Sequence, residues 1–239
     1  MNIKRKFITI IFSNLAIILS LCFLSSFVFL DSSKRVLKAS DDVYYSGDVT
    51  KNNVSLMINV YWGDEYLNSM LETLDKYGVK ATFFVGGAWV SKNPEMLIKI
   101  FEEGHEIANH GFNHKSHDKL SFKQNEDEIL NNHKLVKKYL NIDMNLFMPP
   151  SGAYSKTTVD VAKKLGYKTI MWTKDTIDWR DQDIEIITKR VSTKNKNGDL
   201  ILMHPTKSTS IALDGIITNI LSQNFKILCV SQNIFPNIV

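Results

Sequence analysis

The sequence of 239 residues contains only two cysteines, which limits the covalent chemistry available to the fold. Cys22 lies in a long apolar segment near the N-terminus, and Cys229 lies in a short apolar run near the C-terminus. A disulfide framework needs several pairable cysteines in one compartment, so none is expected here. Cys229 is predicted to be a small buried apolar residue.

The chain also has only a small excess of positive over negative charge. The formal net charge is +4, and the lysines and arginines are spread along the chain rather than gathered in blocks. Nucleic-acid-binding proteins concentrate basic residues on one face, so no nucleic-acid partner is predicted. Hydrophobic residues make up 44% and charged residues 23% of the chain, which is typical of a globular domain with a complete core.

Charged residues are absent from Phe7 to Leu30, which directly follow a basic cluster at residues 4–6. Such a run is long enough to cross a bilayer core of about 30 Å. Residues 1–30 are therefore predicted to form a transmembrane or signal-anchor helix. The flanking basic residues favour a cytoplasmic N-terminus, which places the C-terminal part outside the cytoplasm at the cell membrane. A cleaved signal peptide, giving a secreted protein, is the alternative.

Residues 31–53 are polar and lack periodicity, and we interpret them as a tether. From residue 54 to residue 239, short apolar runs alternate with amphipathic segments, which predicts a single α/β domain with a mainly parallel sheet or barrel of about seven strands. The predicted strands are Val54–Val60, Lys80–Val85, His105–Ala108, Leu146–Met148, Lys168–Trp172, Leu200–Met203 and Lys226–Val230.

Two helix starts carry recognisable caps. Ser121 with Gln124 matches a capping box that opens a helix to about Leu140, and Ser155 can cap a second helix. His133 falls on the apolar face of the first helix, so we predict a packed or partly solvated histidine there.

Polar residues of interest follow the C-terminal ends of the predicted strands, namely Asn59, His110, Asp175 and His204. In a barrel of parallel strands, this end is where a site is built. His110 and His114 are four residues apart after a strand, so their imidazoles can converge on one small cation.

Four segments carry a resemblance to a known family: Lys80–Phe84, Gly104–His110 with His114, Asp178–Trp179 and Leu202–Pro205. Their order resembles the polysaccharide deacetylase family, the NodB-homology domain of carbohydrate esterases, over roughly residues 55–234. The sporulation-associated, membrane-anchored branch is the most similar part of that family. The resemblance implies a distorted (β/α) barrel and metal-dependent hydrolysis of linear amide C–N bonds, which removes N-acetyl groups from a cell-envelope polysaccharide such as peptidoglycan.

The resemblance also implies a role for each matching residue. His110 and His114 correspond to ligands of zinc or another divalent metal. His204 corresponds to the general acid that protonates the leaving amine, and Asp178 to the aspartate that orients it. The residues implied to contact substrate or the oxyanion are Pro150, Ser151, Gly152 and Trp179. His117 lies outside the family pattern and is predicted at the surface, whereas His105 is predicted to be packed.

This chain departs from two motifs of the family. The family's first motif, Thr-Phe-Asp-Asp-Gly, corresponds to residues 57–61, and its third, Arg-Pro-Pro-Tyr-Gly, to residues 148–152. Asn59 stands where the family has its base aspartate, and Val60 where it has its metal-binding aspartate. An amide cannot accept a proton near neutral pH, and a valine cannot bind a metal. Met148 replaces the arginine that pairs with the base. Asp64 could substitute as metal ligand or base, or could serve as the N-cap of the next helix.

Two hypotheses about function follow from different classes. The first is a deacetylase of weak or lost activity, in which zinc or another divalent metal is weakly bound or absent. The second is a catalytically inactive, membrane-anchored protein that binds glycan or assembles the sporulation envelope. A different hydrolase on the same scaffold is a third possibility. The groove at the strand ends is expected to be walled by aromatic residues, namely Trp62, Tyr154, Trp172 and Trp179.

Overall fold

The computed structural model describes residues 42–234. The predicted membrane segment, residues 1–30, and most of the predicted tether lie outside this range. None of the helices between residues 42 and 234 combines the length and apolar content needed to span a bilayer.

Within the described range, strands and helices alternate. The strands are β1 (Val43–Tyr44), β2 (Asn53–Val60), β3 (Thr82–Val85), β4 (Glu106–Asn109), β5 (Leu146–Phe147), β6 (Lys168–Ile170), β7 (Lys174–Asp175), β8 (Asp199–Met203) and β9 (Lys226–Ile227). The helices are α1 (Asp64–Lys76), α2 (Gly87–Val90), α3 (Pro94–Glu102), α4 (Phe122–Leu140), α5 (Lys156–Lys164), α6 (Ile184–Ser192), α7 (Lys207–Ser222) and α8 (Val230–Ile234). Two short 3₁₀ turns are formed by His117–Lys119 and Pro150–Gly152.

All strand pairs of the described sheet are parallel, in the order β1-β6-β5-β4-β3-β2-β8-β7, and β9 pairs with the start of β2. Strands β1 and β7 stand at the two ends of this order, so the sheet is a curled, open barrel. The expected α/β fold is therefore confirmed, while the expected count of about seven strands is too low for the described residues. The strands missed are β1 and β7, which are too short to give an apolar pattern.

The predicted tether extends too far along the chain. Val43 and Tyr44 pair with Thr169 and Ile170 of β6. The Gly47 N–H then donates to the Gly198 carbonyl at 2.7 Å. These are backbone hydrogen bonds, which a polar sequence forms without any apolar periodicity. The folded domain thus includes residues 42–53.

The core has an inner and an outer layer. Strand β2 is buried along its whole length, as expected of a parallel strand covered on both faces. Its Ile58 and Val60 pack in the large outer cluster with the helices. Its Met57 packs inside the curled sheet with Phe84 and Met148. Because successive side chains of β2 alternate, Asn59 lies on the same face as Met57 and reaches the mouth of the barrel, whereas Val60 does not.

Several local predictions are confirmed. Both capping boxes are present, Ser121 with Gln124 before α4 and Ser155 with Thr158 before α5. His133 is partly buried on α4 and contacts the Tyr167 hydroxyl. The last predicted strand ends earlier than expected, because after β9 the chain turns into α8.

Candidate functional site

A cavity of about 420 Å³, which we call the main pocket, opens at the carboxyl ends of the strands. Its lining consists of Asn59, Tyr61, Trp62, His110, His114, Ser151, Gly152, Trp172, Asp175, Trp179, Leu202 and His204. The position agrees with the expectation that the polar residues after the strands meet at one edge of the sheet.

His110 follows β4 and is fully buried. Its Nδ1 lies 2.8 Å from the carbonyl oxygen of Met148. A carbonyl can only accept, so Nδ1 carries the proton and Nε2 is left with a free lone pair. Burial, followed by the neighbouring His114, holds the pKa of His110 well below its usual value. The imidazole is therefore neutral, as a metal ligand or hydrogen-bond acceptor must be.

The loop after His110 is held by a buried carboxylate. Glu128 accepts hydrogen bonds from the N–H groups of Phe112 at 3.0 Å and Asn113 at 2.6 Å, and from the Asn113 side-chain amide at 2.9 Å. Burial opposes ionisation of Glu128, but these bonds and Lys115 bring its pKa below the usual value. Glu128 thus fixes the turn that places His114, whose φ is 54°.

His114 lies beside His110 in the main pocket, with ring centroids 5.2 Å apart. Tyr61 stacks on the other side of His114 at 4.4 Å between centroids. Burial lowers the pKa of His114. The two imidazoles thus lie side by side in the main pocket, and an aromatic ring covers one of them.

His204 and Asp178 form the second polar pair of the pocket. The His204 N–H donates to Asp178 Oδ2 at 2.7 Å, and His204 Nδ1 lies 2.8 Å from Asp178 Oδ1. Thr209 donates to the same carboxylate at 2.6 Å. Burial would raise the pKa of Asp178, but the bonds from His204 and Thr209 lower it. An ionised Asp178 keeps the proton of His204 on Nδ1 and leaves Nε2 for the pocket.

Asn59 is the penultimate residue of β2, lines the main pocket and is 5% exposed. Its Oδ1 is buried and has no hydrogen-bond partner among residues 42–234. Val60 follows but is fully buried in the outer core cluster and does not line the pocket. Neither position offers a carboxylate to the histidines.

Met148 has two separate roles. Its carbonyl oxygen holds His110, as described above. Its side chain is fully buried in the inner core cluster beside Met57 and Leu202. A charged side chain in this place would need a paired carboxylate, and position 59 no longer supplies one.

Among the described residues, Asp175 is the one carboxylate that lines the main pocket. Its Oδ1 accepts a hydrogen bond from the Ile177 N–H at 2.8 Å. Burial raises the pKa of Asp175, and the Ile177 bond and His204 partly oppose that rise. The pocket therefore retains an acidic group, although it comes from a different strand than the degenerate motif.

The turn predicted to contribute oxyanion contacts is formed by Pro150–Gly152. Ser151 and Gly152 line the main pocket, and Pro150 is buried. The Gly152 N–H donates to the Pro149 carbonyl at 3.0 Å, so it is already used within the turn. Gly152 has φ of 66°, and a Cβ there would lie 2.6 Å from the Trp172 ring, so only glycine fits.

Comparison with protein families identifies the chain. The model of the family described as "Polysaccharide deacetylase" matches residues 46–170. The chain belongs to the polysaccharide deacetylase family. It is a deacetylase-like protein, and its similarity to the family extends beyond the matched segment.

Two curated relatives show the range of the family. The Bacillus subtilis protein YlxY, described as uncharacterized, is 38% identical over 188 residues, covering 79% of this chain and 59% of that protein. The Bacillus cereus peptidoglycan-N-acetylglucosamine deacetylase is 31% identical over 197 residues, covering 79% of this chain and 92% of the enzyme. The chain thus spans about three fifths of YlxY and nearly all of the enzyme.

Solved structures of similar proteins include a pseudoenzyme and a mutant of it. BA3943, a CE4 family pseudoenzyme from Bacillus anthracis, is 37% identical with a TM-score of 0.79, covering 82% of this chain and 69% of that chain. A BA3943 mutant with restored enzymatic activity is 36% identical with a TM-score of 0.79, covering 82% of this chain and 72% of that chain. The fold described here is the fold of this deacetylase family.

Deacetylases of this family are generally metal-dependent, so the residues of the chain can be tested against a metal site. A catalytic zinc site has three protein ligands and an open position. Between residues 42 and 234, no three His, Cys, Asp or Glu side chains are grouped so that they could hold a metal. His110 and His114 supply two donors, and Val60 supplies none. The residues present therefore do not fit the family's metal.

Asp64 does not join the histidines. It is the first residue of α1, exposed, and absent from the lining of the main pocket. The predicted N-cap role is also wrong, because Gly63 is the N-cap and the helix has no side-chain cap. Gly63 has φ of 79°, and a Cβ would lie 2.0 Å from the Pro205 carbonyl oxygen, so the close approach to the loop after β8 requires glycine.

His117 is not at the surface. It is fully buried, and its Nδ1 lies 2.7 Å from Asn125 Oδ1. Gly111 allows this, because a Cβ at Gly111 would lie 3.0 Å from His117 Nε2. The prediction failed because the 3₁₀ turn folds this loop residue under the His110–His114 segment. His105 is packed as predicted, at 3% exposure.

Of the predicted aromatic wall, Trp62, Trp172 and Trp179 line the main pocket. Tyr154 instead packs against a small core cluster formed by Val43, Val159 and Met171. Trp179 is 62% exposed, and Trp62 stacks on His204 with centroids 6.2 Å apart. Tyr61 was not predicted as a site residue. Its place directly after β2, beside Asn59 and Val60, was the signal that could have identified it.

Proposed function

We propose that the chain is a catalytically inactive, deacetylase-like protein that binds a cell-envelope polysaccharide such as peptidoglycan. The observation that carries this proposal is the end of β2, where a buried amide, Asn59, enters the main pocket and Val60 turns into the core. The family's base and its anionic metal ligand belong at these two positions.

The expected loss of activity is large. Removal of a general base alone costs about 10²–10⁴-fold in rate. Without a third ligand, zinc or another divalent metal would be held weakly by His110 and His114, or not at all. The proposal is supported by the pseudoenzyme BA3943, at 37% identity. The intact His204–Asp178 pair favours a second candidate function, a residual deacetylase.

The main pocket remains suited to a sugar. Exposed faces of Trp62 and Trp179 flank it, and carbohydrate rings stack on such surfaces. Asn59, Asp175 and the Nε2 atoms of the histidines offer donors and acceptors to hydroxyl and acetamido groups. A polysaccharide can therefore bind without being cleaved.

The proposed site of action follows from the N-terminal sequence. An uncharged segment at Phe7 to Leu30 after three basic residues would anchor the chain in the cell membrane, with the domain outside the cytoplasm. If the segment is cleaved, the domain is secreted. Either location would expose the pocket to envelope glycan, and the resemblance to the sporulation-associated branch favours the envelope of the developing spore.

Two measurements on the full-length protein test the proposal. Acetate release from N-acetylated glycan, with zinc present, should not exceed that of the His110→Ala variant. Calorimetric titration with an N-acetylated tetrasaccharide should show binding, and Trp179→Ala should weaken it because the exposed ring is lost. Turnover well above the His110→Ala level would favour the residual deacetylase. No binding and no turnover would refute both functions.

A further inference from the structure

A second cavity adjoins the main pocket on the far side of two aromatic rings. It has a volume of about 280 Å³, and it shares Tyr61 and Trp62 with the main pocket. Its remaining walls come from the start of α1, from α2 and from the segment that leads into α3. The two cavities therefore adjoin at Tyr61 and Trp62.

One wall of the second cavity, helix α2, is hydrogen-bonded to the loop that carries the two histidines. In α2, the Gly87 N–H donates to the Gly111 carbonyl at 3.0 Å, and the Ala88 N–H donates to the Phe112 carbonyl at 2.8 Å. Trp89 lines the cavity at 3% exposure, and its indole N–H is buried with no partner among the described residues. Backbone hydrogen bonds thus link the α2 wall of the second cavity to the loop that lines the main pocket.

Two opposite charges line the second cavity. Asp64 and Lys92 are both exposed, and neither forms an ion pair with the other or with any charge between residues 42 and 234. Charges that share a small cavity without pairing are complementary to a ligand that carries both signs, since each group of the ligand then meets its opposite. A neutral sugar would leave both Asp64 and Lys92 unpaired.

We propose that the second cavity binds a short peptide branch of the glycan, one that carries a free ammonium and a free carboxylate. The ammonium group faces Asp64, the carboxylate faces Lys92, and the apolar part of the peptide lies against Tyr61 and Trp62. The sugar to which the peptide is attached occupies the main pocket. This inference rests on the proposed glycan-binding function and adds a separate subsite for the peptide branch, formed at Asp64 and Lys92.

The experiment compares two probes by calorimetry on the full-length protein. One is a tetrasaccharide of alternating N-acetylglucosamine and N-acetylmuramic acid without peptide, with both lactyl carboxylates capped as neutral methyl amides. The other carries on one of its two muramic acids a tripeptide that ends in a diamino acid, with a side-chain ammonium and a terminal carboxylate. Two exposed charge pairs should make the second probe bind about tenfold more tightly. This gain should shrink at high salt, because the charges are screened.

The double variant Asp64→Asn/Lys92→Gln should remove the gain and leave the affinity for the bare tetrasaccharide within about twofold of the original. Glu65→Gln/Lys119→Gln is the matched control: both residues are exposed, the net charge is equally unchanged, and neither residue lines the two cavities. The control should keep the gain. Equal affinity for the two probes, or a loss of both affinities in the double variant, overturns the peptide site. Binding of neither probe refutes the proposed function itself.

Discussion

Asp178 binds His204 with both of its carboxylate oxygens, Oδ2 to the backbone N–H at 2.7 Å and Oδ1 to the ring Nδ1 at 2.8 Å. Asp178 is 4% exposed, so the pair is shielded from water on one side and open to the pocket on the other. It is intact in a chain whose base and metal carboxylate are missing. The pair therefore joins the loop after β8 to the loop that carries Trp179, whether or not the site catalyses a reaction.

We expect Asp178→Asn to lower the free energy of unfolding by about 1–3 kcal/mol. The amide nitrogen of asparagine cannot accept a hydrogen bond, so one of the buried donors that Asp178 serves would lose its acceptor. Denaturant titration measures the change. Asp118→Asn, at an exposed site, should stay within about 0.5 kcal/mol of the original protein. Equal stability of Asp178→Asn and the original protein would show that the pair contributes nothing to the fold.

The double variant Asn59→Asp/Val60→Asp returns both missing carboxylates, and zinc should draw the second one out of the outer core towards His110 and His114. We expect stoichiometric zinc and acetate release raised by about 10²-fold or more. Elemental analysis and an acetate assay measure the two effects. The metal-free double variant should melt below the original protein, because the second substitution puts a charge where the Val60 side chain is fully buried. Zinc should reverse that loss. An unmodified protein that already matches the double variant in rate would contradict the assignment of positions 59 and 60.

The free energy of unfolding should decrease as the pH is lowered from about 6.5 to about 4. Burial, and then the charge of Lys80, lower the pKa of His105 to about 4. The unfolded chain, with an ordinary histidine pKa near 6.5, binds a proton over this range before the folded chain does, so protons favour unfolding. The contribution of His105 is up to about 3 kcal/mol. Above pH 7, both states are neutral at this residue and no effect is expected.

His105→Gln provides the measurement. Its free energy of unfolding should depend less on pH between 4 and 6.5 than that of the original protein, even if the variant is less stable throughout. Ile107→Val is a suitable comparison, because it changes a buried residue of β4 without removing an ionisable group. Parallel pH profiles for His105→Gln and the original protein would contradict the depressed pKa of His105.

Glu128→Gln should destabilise the loop that carries His114. The carboxylate accepts three hydrogen bonds from Phe112 and Asn113, and a glutamine amide cannot accept on both sides. We expect a loss of about 1–3 kcal/mol and faster hydrogen exchange at the N–H groups of residues 112 and 113. Lys115→Gln tests the ion pair alone; Lys115 is 53% exposed, so its loss should cost less than about 1 kcal/mol. Unchanged hydrogen exchange at residues 112 and 113 in Glu128→Gln would show that the Glu128 carboxylate does not hold this loop.

The strand–helix alternation, the caps at Ser121 and Ser155, and the meeting of His110, His114 and His204 could be predicted from the sequence. They depend on apolar periodicity and on motifs, which are local. Strand β1 could not be predicted, because its two residues are held by backbone hydrogen bonds to β6, far along the chain. The burial of His117 depends likewise on Asn125 and Gly111, which the sequence does not show to be neighbours.

Asp64 illustrates a different limit. The sequence has a carboxylate a few residues after Val60, and either a metal ligand or an N-cap was chemically reasonable. The structure instead gives the N-cap position to Gly63, because the chain passes so close to Pro205 that no side chain fits. Asp64 lines the second cavity and not the main pocket that contains the histidines.

His110 Nδ1 donates its hydrogen bond to the main-chain carbonyl of Met148, so any residue at position 148 can supply this acceptor. The orientation of the His110 ring is consequently independent of substitutions at side chains that take part in catalysis. A lineage on this scaffold can lose turnover, and regain it, without rebuilding the imidazole frame. Surveys that count histidine motifs of this kind will therefore overestimate the number of working hydrolases.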